Sequence, residues 1–197
     1  DLLQDQSLFK CAGEVQIMKQ AATISAAAHR QAMRACQPGM YEYELEAELL
    51  HGFMKAGSRA PAYNSIVGSG DNACTLHYVD NARQMKSGDL VLIDAGCELE
   101  HYASDITRTF PVSGTFSKEQ RAIYQLVLDA QAAAIDTIKP GNHWNEPHET
   151  SVKVITAGLV KLGLLKGDVD TLIEEEKYKQ FYTVSYHHLT LPTIIAL

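Results

Sequence analysis

Asp94 closes the apolar run Leu90-Val91-Leu92-Ile93, and Asp105 opens the run Ile106-Thr107-Arg108-Thr109-Phe110, eleven residues further on. Both runs are β-prone and the residues between them include turn formers. If the runs pair as an antiparallel hairpin folded at Leu99-Glu100, Asp94 lies opposite Asp105 and both carboxylates point to one face. Two carboxylates side by side on a mostly apolar sheet repel each other, so a cation or a shared proton must neutralise them. Hard cations take carboxylate oxygens, and a converging pair can bind one ion or bridge two. Two ions held about 3.5–4 Å apart activate a shared water and polarise an attacked carbonyl.

Asp is also a common turn residue, and either one alone reads as a strand-end cap. Two features favour the cation reading. Asp94 follows a continuous apolar run, where an unpaired charge is costly, and Asp105 leads directly into a strand rather than closing a turn. His77, in Thr75-Leu76-His77-Tyr78, sits in the same β-prone region. It is either a satisfied structural histidine or a hydrogen-bond donor to a substrate carbonyl, and its neighbours leave both readings open. Other candidates are weaker. Gly68-Ser69-Gly70 lacks the third glycine and the strand-to-helix setting of a dinucleotide loop and reads as a turn. His143, Glu146 and His148 fall between a helix stop and a helix start and read as a solvated loop. Negative neighbours make Cys97 a poor nucleophile.

The elements that must position these residues follow from periodicity. Ile17, Ala21, Ile24 and Ala28 keep a 3.6-residue period, which predicts a long helix over 7–36, stopped by Pro38-Gly39. Leu45, Leu49 and Phe53 predict a second helix over 43–56, with Gly57 as its stop. From Pro61 to Phe110 helical periodicity gives way to short β-prone runs separated by Gly, Asn and Asp turns. Ser117-Lys118-Glu119-Gln120 reads as a capping box for a third helix reaching about Ile138. A fourth is expected over 146–161 and a short acidic one over 168–178. Two helices, a β region and further helices make an α+β layout rather than a regular βαβ alternation.

The chain has 197 residues, 46% of them apolar and 21% charged, enough for one domain with a real core, or at most a small second one. A net charge of −7 without a basic cluster argues against nucleic acid as a partner. No run approaches the ~18 apolar residues of a membrane helix. The four cysteines, Cys11, Cys36, Cys74 and Cys97, form no C-x-x-C pair and read as reduced thiols of a cytoplasmic protein. The chain starts at Asp1 rather than Met, as a fragment or a processed product would.

Several stretches together resemble the catalytic domain of the Xaa-Pro aminopeptidases, within the metallopeptidase family that also holds prolidase and methionine aminopeptidase. They are Pro38-Gly39-Met40, Tyr63-Asn64-Ser65-Ile66-Val67-Gly68-Ser69-Gly70, Leu76-His77-Tyr78, 88–96, 105–112 and 158–163. Asp-Ile-Thr-Arg-Thr-Phe at 105–110 is the segment specific to the proline-directed branch. The resemblance implies a pita-bread α+β fold, here incomplete, with the C-terminal half of its sheet missing. It implies two manganese ions, with Asp94 and Asp105 as metal ligands and Asp105 bridging both, and His77 beside them binding substrate. It implies a peptide substrate with proline in second position and, often, a homo-oligomer. Residues 1–182 would be the N-terminal part of the catalytic domain and 183–197 a tail that does not match. The family's remaining ligands are one His and two Glu. An ungapped count puts His188 at the His position, but in residues that do not otherwise match, so it is not assigned, and both Glu would lie beyond Leu197. The chain alone is therefore expected to be inactive. The rival readings are a non-catalytic pita-bread module that binds protein or peptide, and a metal-free hydrolase on the same fold. Intact Asp94, Asp105 and His77 argue against both.

Overall fold

The computed structural model describes residues 7–182. They fall into two compact units that divide between Phe116 and Ser117.

The first unit opens with α1 (Ala12–Ala35) and α2 (Glu42–Lys55). The start of α1 is later than its periodicity suggests, because Glu14 Oε2 accepts the Cys11 backbone N–H at 2.6 Å and caps the helix there. The face of α1 turned inward is made of small residues, Ala21, Ser25, Ala28 and Ala32. Small side chains let the two helices approach closely: a Cβ on Gly52 of α2 would lie 2.9 Å from that of Ala28. From α2, Leu45, Leu49 and Phe53 are fully buried, each contributing about 1.5–3 kcal/mol of transfer free energy.

The strands of this unit are β1 (Ala60–Pro61), β2 (Ile66–Ser69), β3 (Leu90–Ala95), β4 (Cys97–Leu99), β5 (Tyr102–Ala103) and β6 (Ile106–Pro111). They form two antiparallel sheets, ordered β1-β4-β5 and β2-β3-β6. Val91, Ile93 and Ala95 of β3 join the helical core with Val67 of β2, so the helices cover that face. The period-2 alternation sends Leu90, Leu92 and Asp94 to the other face.

The hairpin carrying the two aspartates forms, but in a different register from the one expected. Asp94 pairs with Thr107, and Glu98 with Ala103. The chain reverses at Glu100-His101, both left-handed (φ 48° and 69°), instead of at Leu99-Glu100. Two consecutive positive φ values are what the right-handed strand twist asks of a two-residue hairpin turn. Moving the reversal by one residue moves the pairing by two, and a shift of two preserves the face. Asp105 thus comes across from Gly96, diagonal to Asp94 and on the same face.

Two further expectations change. Gly68 and Ser69 belong to β2 rather than to a turn, and the chain continues as a 3-10 turn over Gly70–Cys74. His77 is not in a strand either. It is an exposed turn residue with φ 56°, beyond the 3-10 segment.

The second unit holds α3 (Lys118–Asp136), α4 (Glu146–Lys161) and α5 (Val169–Glu174). The Ser117 capping box is present: Ser117 Oγ accepts from the Gln120 N–H at 3.1 Å, and Gln120 Oε1 from the Ser117 N–H at 2.9 Å. Ala130, Ile155, Leu159, Leu165 and Leu172 make a second core. The acidic helix expected over 168–178 ends at Glu174, and Glu176 turns left-handed (φ 53°) into a 3-10 turn over Lys177–Gln180. Three successive glutamates at a helix C-terminus repel each other and the negative end of its dipole. Among the described residues no helix is long and apolar enough to cross a membrane.

Candidate metal centre

Asp94 and Asp105 are both half-buried, on the sheet face that α1 and α2 leave uncovered. One side chain joins them. The Tyr63 hydroxyl lies 2.6 Å from Asp94 Oδ1 and 3.0 Å from Asp105 Oδ1, donating to the pair of carboxylates. Tyr63 stands three residues before β2, and Ile66 of that strand pairs with Asp94, so the same ladder that carries the aspartate brings the phenol to it. Burial pushes the phenol far above the usual tyrosine range, and the bonds and charges of the two carboxylates push it further. It is a proton donor at every physiological pH. A phenol brings one proton and no charge, so two carboxylates around it keep a charge deficit that a cation would fill.

Behind this pair the backbone is drawn tight. Gly96 sits so close to the opposite strand that a Cβ on it would fall 1.7 Å from Ser104 O and 3.0 Å from the Asp105 N. Ser104 N donates to Cys97 O at 2.9 Å, and Cys97 N to Ser25 Oγ and Ser104 Oγ at 2.9 and 3.0 Å. His29, buried in α1, donates from Nε2 to Ala95 O at 3.0 Å, next to Asp94. Burial holds its imidazole below the usual range and hence neutral, with one ring nitrogen free of a proton.

The structure therefore brings Asp94 and Asp105 to one point, and sets His77 on a separate turn of the same unit. His143, Glu146 and His148 do not make a cluster. Glu146 Oε1 accepts the His143 N–H at 2.8 Å, and His143 Nδ1 accepts the Asn145 N–H at 3.2 Å, as caps at the start of α4. Among the described residues no group of three or more His, Cys, Asp or Glu side chains could hold a metal ion. The Asp94–Asp105 pair fits a divalent cation by the chemistry of its donors, as part of a ligand set rather than as a complete one. His188 and the rest of 183–197 lie outside the described residues.

Tyr63 lies within a motif that carries no mark of its role, and Glu42 lies outside every motif. Glu42 is fully buried at the start of α2. Its Oε1 accepts from the Ser69 N–H and Oγ, each at 2.7 Å, and from Asn72 Nδ2 at 3.3 Å. Its Oε2 accepts from the Tyr78 hydroxyl at 2.8 Å and the Arg83 N–H at 3.0 Å. Burial alone would raise its carboxyl, but the bonds from Ser69, Arg83 and Tyr78 outweigh it and hold the group below the usual carboxylate range. The one available signal was an acid in the first turn of a helix, which also describes Glu44.

The sequence model of metallopeptidase family M24 matches residues 16–191. The Xaa-Pro aminopeptidase of Haemophilus influenzae is 51% identical over 187 residues, covering 95% of this chain and 44% of that protein. The Xaa-Pro aminopeptidase of Escherichia coli is 47% identical, covering 95% and 42%. Among solved structures, Pseudomonas aeruginosa aminopeptidase PepP superposes with a TM-score of 0.91 at 62% identity, covering 92% of this chain and 41% of that one. A zinc-substituted E. coli aminopeptidase P in complex with product gives 0.88 at 49% identity, covering 90% and 40%. The chain thus spans less than half the length of the relatives it matches, and over that part it shares their fold.

Proposed function

The chain belongs to metallopeptidase family M24, and we propose that it carries part of the catalytic site of an Xaa-Pro aminopeptidase, which releases the first residue of peptides with proline in second position. The observation that carries this reading is the single Tyr63 hydroxyl within hydrogen-bond distance of both Asp94 and Asp105. A resident divalent cation supplies Lewis-acid polarisation of the scissile carbonyl when bound. Asp94 and Asp105 would hold it, and manganese, as a hard ion, suits their oxygen donors. Tyr63 keeps both carboxylates turned to one point, and Gly96 and His29 hold the backbone on either side of them. His77, exposed on its turn, would donate a hydrogen bond to the substrate carbonyl as negative charge grows there. In this reading residues 1–182 are the N-terminal part of the catalytic domain, and the protein works in the cytoplasm, in keeping with its four free cysteines.

Binding of Mn2+ to the 197-residue chain, followed by calorimetry and by the manganese EPR signal, tests the site. Hard cations take about six to eight oxygens, so the described pair alone should bind weakly. Asp94→Asn and Asp105→Asn should each abolish that binding, and Tyr63→Phe should weaken it by about tenfold, the loss usual for an outer-shell partner. Binding that survives both aspartate substitutions would remove the proposed site. Robust manganese-dependent cleavage of an Xaa-Pro peptide by the 197-residue chain would show that the site is more complete than proposed.

A further inference from the structure

We propose that Glu42 is the positioning residue that holds the His77 turn in its working conformation. The inference rests on the reading of His77 as a substrate-facing group, and the geometry that supports it lies away from the aspartate pair. Among the described residues, every donor to the Glu42 carboxylate comes from residues 69–83, before and after His77: Ser69 and Asn72 on one side, Tyr78 and Arg83 on the other. The Glu42 backbone closes the same ring by donating its N–H to Arg83 O at 3.0 Å. A fully buried carboxylate is tolerated because these bonds satisfy its lone pairs on both oxygens.

The segment it holds is not relaxed. His77 and Asn81 both have positive φ, 56° and 47°, a region that residues other than glycine enter at a cost and keep only when their surroundings over-determine it. Two further clamps act with Glu42. Asn81 Oδ1 accepts the Val67 N–H at 2.9 Å, while its Nδ2 donates to Ser65 O and to Glu46 Oε2, each at 2.9 Å. Glu46 lies one helical turn beyond Glu42 on α2, so one helix face grips the segment twice. The Arg83 guanidinium bonds Ser69 O and pairs with Asp89 at 3.1 Å. Tyr78, directly after His77, receives the Ala82 N–H at 3.2 Å on the same hydroxyl that it gives to Glu42. Glu42 therefore acts on His77 through the adjacent residue. Loss of its charge releases the left-handed turn without touching the hairpin.

The test uses the 197-residue chain in two readouts. One is the His77 imidazole Cε1–Hε1 NMR cross-peak, assigned with His77→Gln. The other is amide exchange at Thr75, Tyr78, Ala82 and Arg83, against α1 and β3 as internal controls. Glu42→Gln should displace the cross-peak and speed exchange in that segment by about tenfold, with the controls unchanged. Tyr78→Phe removes the bond to Glu42 and the bond from the Ala82 N–H and keeps the buried charge. It should displace the cross-peak in the same direction by less, and it carries the test if Glu42→Gln does not fold. An unmoved cross-peak in Tyr78→Phe, or faster exchange spread evenly through α1 and β3, would overturn the proposal. Neither readout uses metal or peptide, so this result is independent of the fate of the proposed peptidase site.

Discussion

Gly96→Ala is the most discriminating single perturbation of this molecule. The backbone at Gly96 does not require a positive φ, so alanine can adopt it, and the whole effect comes from space. The new methyl carbon would fall 1.7 Å from Ser104 O and 2.4 Å from Ser104 C, both backbone atoms that cannot swing aside as a side-chain tip would. Reaching ordinary contact requires the strands to part by well over an ångström. The Ser104 N–H to Cys97 O bond (2.9 Å) and the Cys97 N–H to Ser104 Oγ bond (3.0 Å) would then both pass beyond hydrogen-bond reach. The Ser104 N–H is then left unpaired at about 1–3 kcal/mol, while the Cys97 N–H keeps Ser25 Oγ at 2.9 Å. Restricting the unfolded chain returns about 0.5–1 kcal/mol. Forcing the strands apart adds about 1–3 kcal/mol of strain, so the balance is a loss of about 1–5 kcal/mol from the first unit. With a urea slope of about 2 kcal/mol per molar, the midpoint should fall by about 0.5–2.5 M. Urea-dependent amide exchange at α1 and β3 reads that unit directly. Gly57→Ala is the control: its φ of +97° strains alanine, but nothing lies within 4 Å of the methyl, and it should cost only about 1 kcal/mol. A Gly96→Ala midpoint within about 0.3 M of the parent would refute the claim that close approach at this residue holds the two aspartates together.

Two further outcomes are expected. Because folding holds the Glu42 carboxyl below its ordinary range, its contribution to stability is complete above the unfolded-state value of about 4.3 and is lost as pH falls through the lower, folded-state value. Urea midpoints of the first unit should therefore drop below about pH 4, and Glu42→Gln should be less stable at neutral pH with a flatter acid limb; an unchanged acid limb would refute the assignment. In the second unit, Gly158→Ala would press a methyl to 2.1 Å from Leu126 Cδ1 and 2.9 Å from its Cγ. Overpacking at about 1–3 kcal/mol exceeds the roughly 1 kcal/mol gained in helix propensity, so a net loss is expected. The only tryptophan, Trp144, lies in that unit, so its fluorescence should report the loss while exchange in α1 stays the same.

Much of the architecture was legible because it is local. Leu45, Leu49 and Phe53 announce the buried face of α2, Ser117 and Gln120 announce the start of α3, and α4 has the bounds its pattern predicts. The hairpin was legible as a pairing but not in its register. Glu100 and His101 are not residues that usually signal a left-handed turn, so nothing in the text marked the reversal. The prediction of a shared face survived only because the error was an even number of residues. His77 was misplaced for a different reason. Thr-Leu-His-Tyr falls in a β-prone region, and the carboxylate that its Tyr78 bonds lies more than thirty residues earlier in the chain.

Residue order along two short runs was enough to put two carboxylates on one face of a sheet and to point to a cation. Pattern of this kind is written within a few residues, where period and turn chemistry act. That Tyr63, 31 and 42 residues from its partners, supplies the hydroxyl between them was decided only by the tertiary structure. So was the burial of Glu42, while Glu44 beside it stays at the surface. Hydrogen-bond satisfaction of buried groups is an account closed over the whole fold, and each donor is found wherever packing brings it, not where the sequence places it.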